Sequence, residues 1–273
     1  MKNILVPCDF SEPAEEAFRF AIEVACKSEG EVHVLHVIDI TFLRGNPSLS
    51  YNYAFNLSFL KEMEQEAETK FNTLRSRYAP RTLSVRFTHS IGSLTSEIEN
   101  YGKTHAIDLI IMGTHGTGRA GYGSNTEKTV RHAKVPVIAI RTAPAAIQDI
   151  VYPVIPDQKN EELVAKVKAL QKFFHACLHL LWVNTPFMLK PDPDAQRELQ
   201  AFASESDLKD YTINIRSDYT SEDGIIHFTN EINADMIAMG THAWKGIVHL
   251  MVGSVTERVV GHQAAAVWTY CIS

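Results

Sequence analysis

The chain has 273 residues, enough for two domains of ordinary size, each with its own core. It is 45% hydrophobic and 21% charged, which excludes a disordered chain. Its net charge of −6 argues against a nucleic-acid or anionic-membrane surface. Cys8, Cys26, Cys177 and Cys271 show no CxxC spacing, which points to a reduced, cytoplasmic setting and no zinc site. The chain begins directly in a strand, and no apolar run is long enough to span a bilayer.

In chain order, residues 2–7 form a short apolar strand, and the turn after it carries Cys8, Asp9 and Phe10. Ser11 caps a helix over 12–28, with Pro13 in its first turn and an apolar stripe of Ala14, Ala17, Phe18, Ala21, Ile22 and Ala25. A second strand covers 31–38. Residues 40–57 are aromatic and irregular, and 58–78 form a charged amphipathic helix. A third strand spans 82–89, alternating Leu83, Val85 and Phe87, and a helix spans 93–105.

The fourth strand is the apolar run 107–112, and five glycines follow it: Gly113, Gly116, Gly118, Gly121 and Gly123. The loop ends in Ser124, Asn125, Thr126 and Glu127, a capping-box pattern that opens a helix to about His132. A glycine-rich turn from a strand to a helix start lets backbone N–H groups approach a phosphate. No Gly-Lys-Ser/Thr follows, so this is not a P-loop. By itself the loop serves equally well as a plain flexible turn. A fifth strand covers 135–140.

Residues 142–148 read as a linker, after which the order restarts. Residues 149–153 match 3–7, and 181–183 match 35–37. A charged helix is expected over 192–208, a strand over 210–217, a helix over 221–232 and a last strand over 264–272. Met239-Gly-Thr-His242 repeats Met112-Gly-Thr-His115, and Gly253-Ser254 repeats Gly123-Ser124. Asp235 and Met239 likewise repeat Asp108 and Met112. A shared spelling at this distance implies a duplicated unit. The expected fold is α/β: two doubly wound, five-stranded parallel-sheet domains in tandem, Rossmann-like, over 1–142 and 148–273. Ligands in such sheets sit at the carboxyl ends of the strands.

Taken together, Pro7-x-Asp9-Phe-Ser-Glu12, Leu35-His-Val-Ile-Asp39, Ile110-Ile-Met-Gly-Thr-His-Gly116 and Gly123-Ser-x-x-Glu127 resemble the universal stress protein family. The resemblance covers essentially the whole chain. It implies an ATP-binding regulatory stress-response protein without dedicated catalytic activity, with ATP bound alone or with magnesium. It also implies pairing through the fifth strands, here an intramolecular pseudo-dimer of the two domains, with homodimerisation of whole chains open. Nucleotide contacts are implied at Pro7, Cys8, Asp9, Val37, Met112, Gly113, Gly116, Gly123, Ser124, Asn125 and Thr126.

Both halves depart from the family pattern. In the first, six residues separate Gly116 from Gly123, where the family has nine. The second keeps nine, but Ala243 replaces the second glycine and Ile155 falls where Asp9 sits. The first domain is therefore read as the nucleotide site and the second as degenerate. Cys8 reads as a buried thiol. His115 and His242 have no nucleophile and spaced acid beside them, so no catalytic residue is assigned. His175 and His179 do not share a helical face, so no metal site is assigned. Slow ATP hydrolysis, and a scaffold or small-ligand binder that has lost nucleotide binding, are the competing readings.

Overall fold

A computed structural model describes residues 1–38, 53–114, 124–156, 159–241 and 265–272. The chain divides into two compact units, Met1–Thr129 and Val130–Ser273.

The first unit opens with β1 (Asn3–Pro7), α1 (Glu12–Ser28) and β2 (Glu31–Ile38). It continues with α2 (Tyr53–Tyr78), β3 (Val85–Ile91), α3 (Leu94–Thr104) and β4 (Leu109–Gly113). The helix α4 (Ser124–His132) follows and runs across the division. The strand order is β3-β2-β1-β4, and β1 pairs parallel with both β2 and β4. The strand order therefore reverses at β1, which leaves a crevice at the carboxyl ends of β1 and β4.

The apolar stripe read in α1 is buried: Ala14, Ala17, Phe18, Ala21, Ile22 and Ala25 all face the core. Glu12 and Glu15 lie in its first turn and Lys27 in its last, matching the helix dipole. The helix stops at Glu29, whose left-handed backbone (φ 51°) returns its N–H to the Ala25 carbonyl. Strands β1 and β4 bury Ile4, Leu5, Leu109 and Ile111 completely. Each such side chain contributes about 1.5–3 kcal/mol of burial free energy.

The second unit holds β5 (Val137–Ile140), β6 (Asp149–Pro153), α5 (Glu161–Phe174) and β7 (Cys177–Asn184). It then holds α6 (Asp192–Glu205), β8 (Tyr211–Ser217), α7 (Ser221–Glu231), β9 (Met236–Gly240) and β10 (Ala266–Tyr270). The order is β5-β10-β9-β6-β7-β8. Among these strands β5 runs antiparallel to β10, with Ala139 opposite Val267, while the pairings of β6 to β10 are parallel. Its core includes Val151, Leu181, Ile237 and Val267.

One device recurs in both units. The Asp108 carboxylate accepts the N–H groups of Lys2 and Asn3 at 2.8 and 3.0 Å. The Asp235 carboxylate accepts those of Gln148 and Asp149 at 2.7 and 3.0 Å. Each ties the entry of a central strand to the entry of its neighbour, which explains why Asp is spelled twice.

Several boundaries differ from the sequence reading. Helix α2 starts at Tyr53, earlier than residue 58, because no helix breaker separates the aromatic stretch from the charged one. Strand β3 begins at Val85, since a turn in which the Leu83 N–H donates to the Pro80 carbonyl delays it. Strand β5 begins at Val137, after Pro136, which has no N–H to donate to a ladder. Helix α6 ends at Glu205 because Asp207 turns left-handed (φ 47°) and Leu208 N–H closes back on the Ala203 carbonyl. Helix α5 was not singled out in the sequence. Asn160 caps it, its side chain accepting from Leu163 N–H at 2.8 Å.

Candidate functional site

The crevice of the first unit is bounded by the turn after β1 and the end of β4. Pro7 is the buried last residue of β1. Cys8 follows, fully covered, its N–H donating to the Leu35 carbonyl. Burial pushes its thiol up to about 12, so it is not a reactive thiolate near neutral pH. Asp9 is exposed, and its Oδ1 accepts both the N–H and the hydroxyl of Ser11, at 3.0 and 2.5 Å.

Ser11 occupies the N-cap position, but its side chain makes no capping bond. The expected cap is therefore replaced: the hydroxyl donates to the nearer Asp9 carboxylate, a charged and stronger acceptor. Between them Phe10 takes a left-handed backbone (φ 61°), uncommon for a bulky residue. Its ring lies 5.0 Å from that of His36, whose Nδ1 is 2.8 Å from the Cys8 carbonyl. His36 thus pins the turn that carries Asp9. Sequence reading missed both residues. His36 is spelled as an ordinary strand position, and nothing in the spelling of Phe10 signals a positive φ. Val37 follows on β2 and is half-buried.

Met112 is buried and Gly113 closes β4. A β-carbon placed on Gly113 would lie 2.7 to 2.9 Å from backbone atoms of Pro13 and Ala14. The first turn of α1 therefore presses directly on this residue, and only glycine lets it come so close. α1 is the helix that the Asp9 turn leads into, so this contact joins its start to the end of β4. Thr126, buried on α4, donates its hydroxyl to the Gly113 carbonyl at 3.0 Å. Ser124 opens α4, and Asn125 is exposed beside it. Gly116 and Gly123 lie outside the described residues, as do His115, His242, Ala243, Gly253 and Ser254.

The matching place in the second unit is built differently. Ile155 stands where Asp9 stands, and it lines a small recess with Val154, Asn160, Leu163, Met239 and Gly240. A β-carbon on Gly240 would meet Ile272 at 2.8 Å and Leu163 at 2.9 Å. Here the nearest atoms are the ends of apolar side chains.

Comparison with known proteins decides the family. The family model described as "Universal stress protein family" matches residues 1–141 and again 146–270. The chain belongs to the universal stress protein family. It is a tandem member, carrying two such domains. A universal stress protein of Synechocystis is 22% identical over 99% of this chain and 100% of its own length. Universal stress protein G of Escherichia coli O157:H7 is 27% identical, over 51% of this chain and 99% of its own. A crystal structure of a universal stress protein from Archaeoglobus fulgidus superposes with a TM-score of 0.74 at 20% identity, covering 98% of this chain and 96% of that one. That likeness establishes the α/β fold. No helix among the described residues is long and apolar enough to cross a membrane.

Proposed function

We propose that this universal stress protein is a cytoplasmic regulatory protein that binds ATP, alone or with magnesium, in its first domain, residues 1–142, and has no dedicated catalytic activity. The observation that carries this reading is the close contact of Gly113 with the first turn of α1, the helix that the Asp9 turn leads into. An exposed carboxylate on a pinned turn offers an acceptor for ribose or adenine. The glycine-rich loop and the start of α4 offer N–H groups and a helix dipole for phosphates. We assign Pro7, Cys8, Val37, Met112, Ser124, Asn125 and Thr126 to the same site, together with Gly116 and Gly123 of the loop. The second domain, residues 148–273, is degenerate: Ile155 has no acceptor, and Ile272 and Leu163 occupy the space against Gly240.

The expected stoichiometry is one ATP per chain. Replacing Asp9 by Ala removes one charged acceptor, about 1.5–3 kcal/mol, or roughly 10- to 150-fold in affinity. Calorimetric titration of the wild-type chain and Asp9→Ala checks both statements. Equal affinities, or two sites of equal strength, would overturn the assignment. Nucleotide extracted from the purified protein and followed for hours should remain ATP, and steady ADP release would favour slow hydrolysis.

We further infer that the two domains form a pseudo-dimer through their fifth strands. By the family's boundaries β5 belongs to the first domain and β10 to the second, and their antiparallel ladder supports this.

A further inference from the structure

The opposite, amino-terminal end of the second unit's sheet carries a different chemistry. Cys177 and His179 are two apart on β7 and so face the same side of the sheet. Asp149 on β6 is the direct cross-strand partner of Cys177. One ligand atom from each, a carboxylate oxygen, a sulfur and an imidazole nitrogen, all lie within 4.8 Å of one another. Among the described residues this is the one such group of three. We propose that Asp149, Cys177 and His179 form a three-ligand site for a borderline-soft divalent cation of the zinc type.

The donor set fits such an ion. Thiolate, imidazole and carboxylate are the ligands Zn²⁺ takes at about 2.0–2.3 Å, and tetrahedral ligand atoms then sit about 3.5 Å apart. The ligand atoms, now within 4.8 Å of one another, would close by about 1 Å on an ion. His179 Nε2 lies 2.8 Å from Asp149 Oδ1, so without metal the imidazole N–H occupies the position of the ion. Its Nδ1 lies 2.8 Å from the Thr212 hydroxyl, which itself accepts from Asn214 Nδ2 at 2.8 Å. A hydroxyl can donate to Nδ1 in the metal-free protein and accept from Nδ1–H when Nε2 turns to metal. This is the outer support that orients a metal-ligating histidine. Three protein ligands leave coordination open to water. A cavity beside Cys177, also lined by Gln171, His175 and Asp210, supplies the access. Three lysines also line it, Lys168, Lys172 and Lys209, of which Lys168 and Lys209 pair with Asp207.

The first unit provides an internal contrast. At the same register it carries Asn3, Glu31 and His33. His33 Nε2 is 2.9 Å from Glu31, and the other Glu31 oxygen accepts from Arg86 Nε at 3.1 Å. Arg86 stands opposite His33, where Thr212 stands opposite His179. An arginine satisfies the carboxylate in the first unit. In the second unit the arginine is gone and a thiol has entered, the change expected if a cation is to be taken from solution.

The test is cobalt titration of the full chain after chelator treatment. The expected result is one Co²⁺ per chain with a thiolate-to-cobalt charge-transfer band, displaced by Zn²⁺. Cys177→Ser should abolish the band, and Thr212→Val should weaken affinity roughly 10- to 100-fold at unchanged stoichiometry. A chain with Cys8, Cys26 and Cys271 all replaced by Ser must keep the band, which guards against misfolding of Cys177→Ser alone. Absence of a thiolate band in the wild-type chain would overturn the site. So would its survival in a folded Cys177→Ser chain, judged by circular dichroism.

Discussion

His36 shows how one side chain couples the candidate site to pH. Burial holds its pKa below the ordinary 6.5, against the opposing pull of the Cys8 carbonyl, and burial likewise lowers His33. The unfolded chain therefore takes up these protons first as the solution is acidified. Stability is fully present above pH 6.5 and falls as the pH drops through the interval below it, until the folded histidines also titrate. Thermal unfolding between about pH 7 and 5 should show this decline. His36→Gln, which cannot titrate, should flatten the slope, and an unchanged slope would assign the effect elsewhere. At this scale the places of Cys8 and Asp9 in a turn after β1, and of Gly113 at the end of β4, were legible in the sequence, because such turns and glycines have fixed places in this fold. The backbone of Phe10 and the bond from His36 to Cys8 were not, since both depend on which strand lies beside β1.

The two repeated glycines separate at the level of elements. On Gly113 a β-carbon would strike the backbone of α1, which cannot move without dragging the helix from the sheet. Gly113→Ala should therefore destabilise the chain by about 1–3 kcal/mol and weaken nucleotide binding with it. On Gly240 the obstruction is the ends of the Ile272 and Leu163 side chains, which can change rotamer. Gly240→Ala should cost no more than about 1 kcal/mol, the low end of that range. Denaturant unfolding of the two variants measures the difference, and equal losses would show that the glycines serve the same role. The sequence spells both sites Met-Gly-Thr-His. The difference arises from what packs on top: the backbone of a helix start in one unit, and the side chains of Ile272 and of Leu163, in the first turn of α5, in the other.

For the whole molecule, the division after Thr129 places β5 with β10. A fragment of residues 148–273 would leave the ladder edge of β10 uncovered, with Val267 and Trp268 central to it. We expect this fragment to self-associate more strongly than a fragment of residues 130–273, in which β5 still covers β10. Size-exclusion chromatography with light scattering distinguishes them. A monomeric, stably folded 148–273 fragment would mean that the pairing of β5 with β10 is dispensable.

The parallel α/β class, the duplication and, α5 excepted, the order of strands and helices could be read from the chain. They follow from local rules: apolar periodicity, turn residues, and the geometry that places strand ends and helix starts together. Even Asp108 and Asp235 announced themselves by repetition. What the tertiary structure alone decided lies across strands. It set Asp149 beside Cys177 and His179, matched Arg86 to one unit and Thr212 to the other, and pressed α1 onto Gly113. Sequence distance carries no record of such pairings, because register is set by the burial of whole sheet faces, and that burial is decided only when distant strands meet.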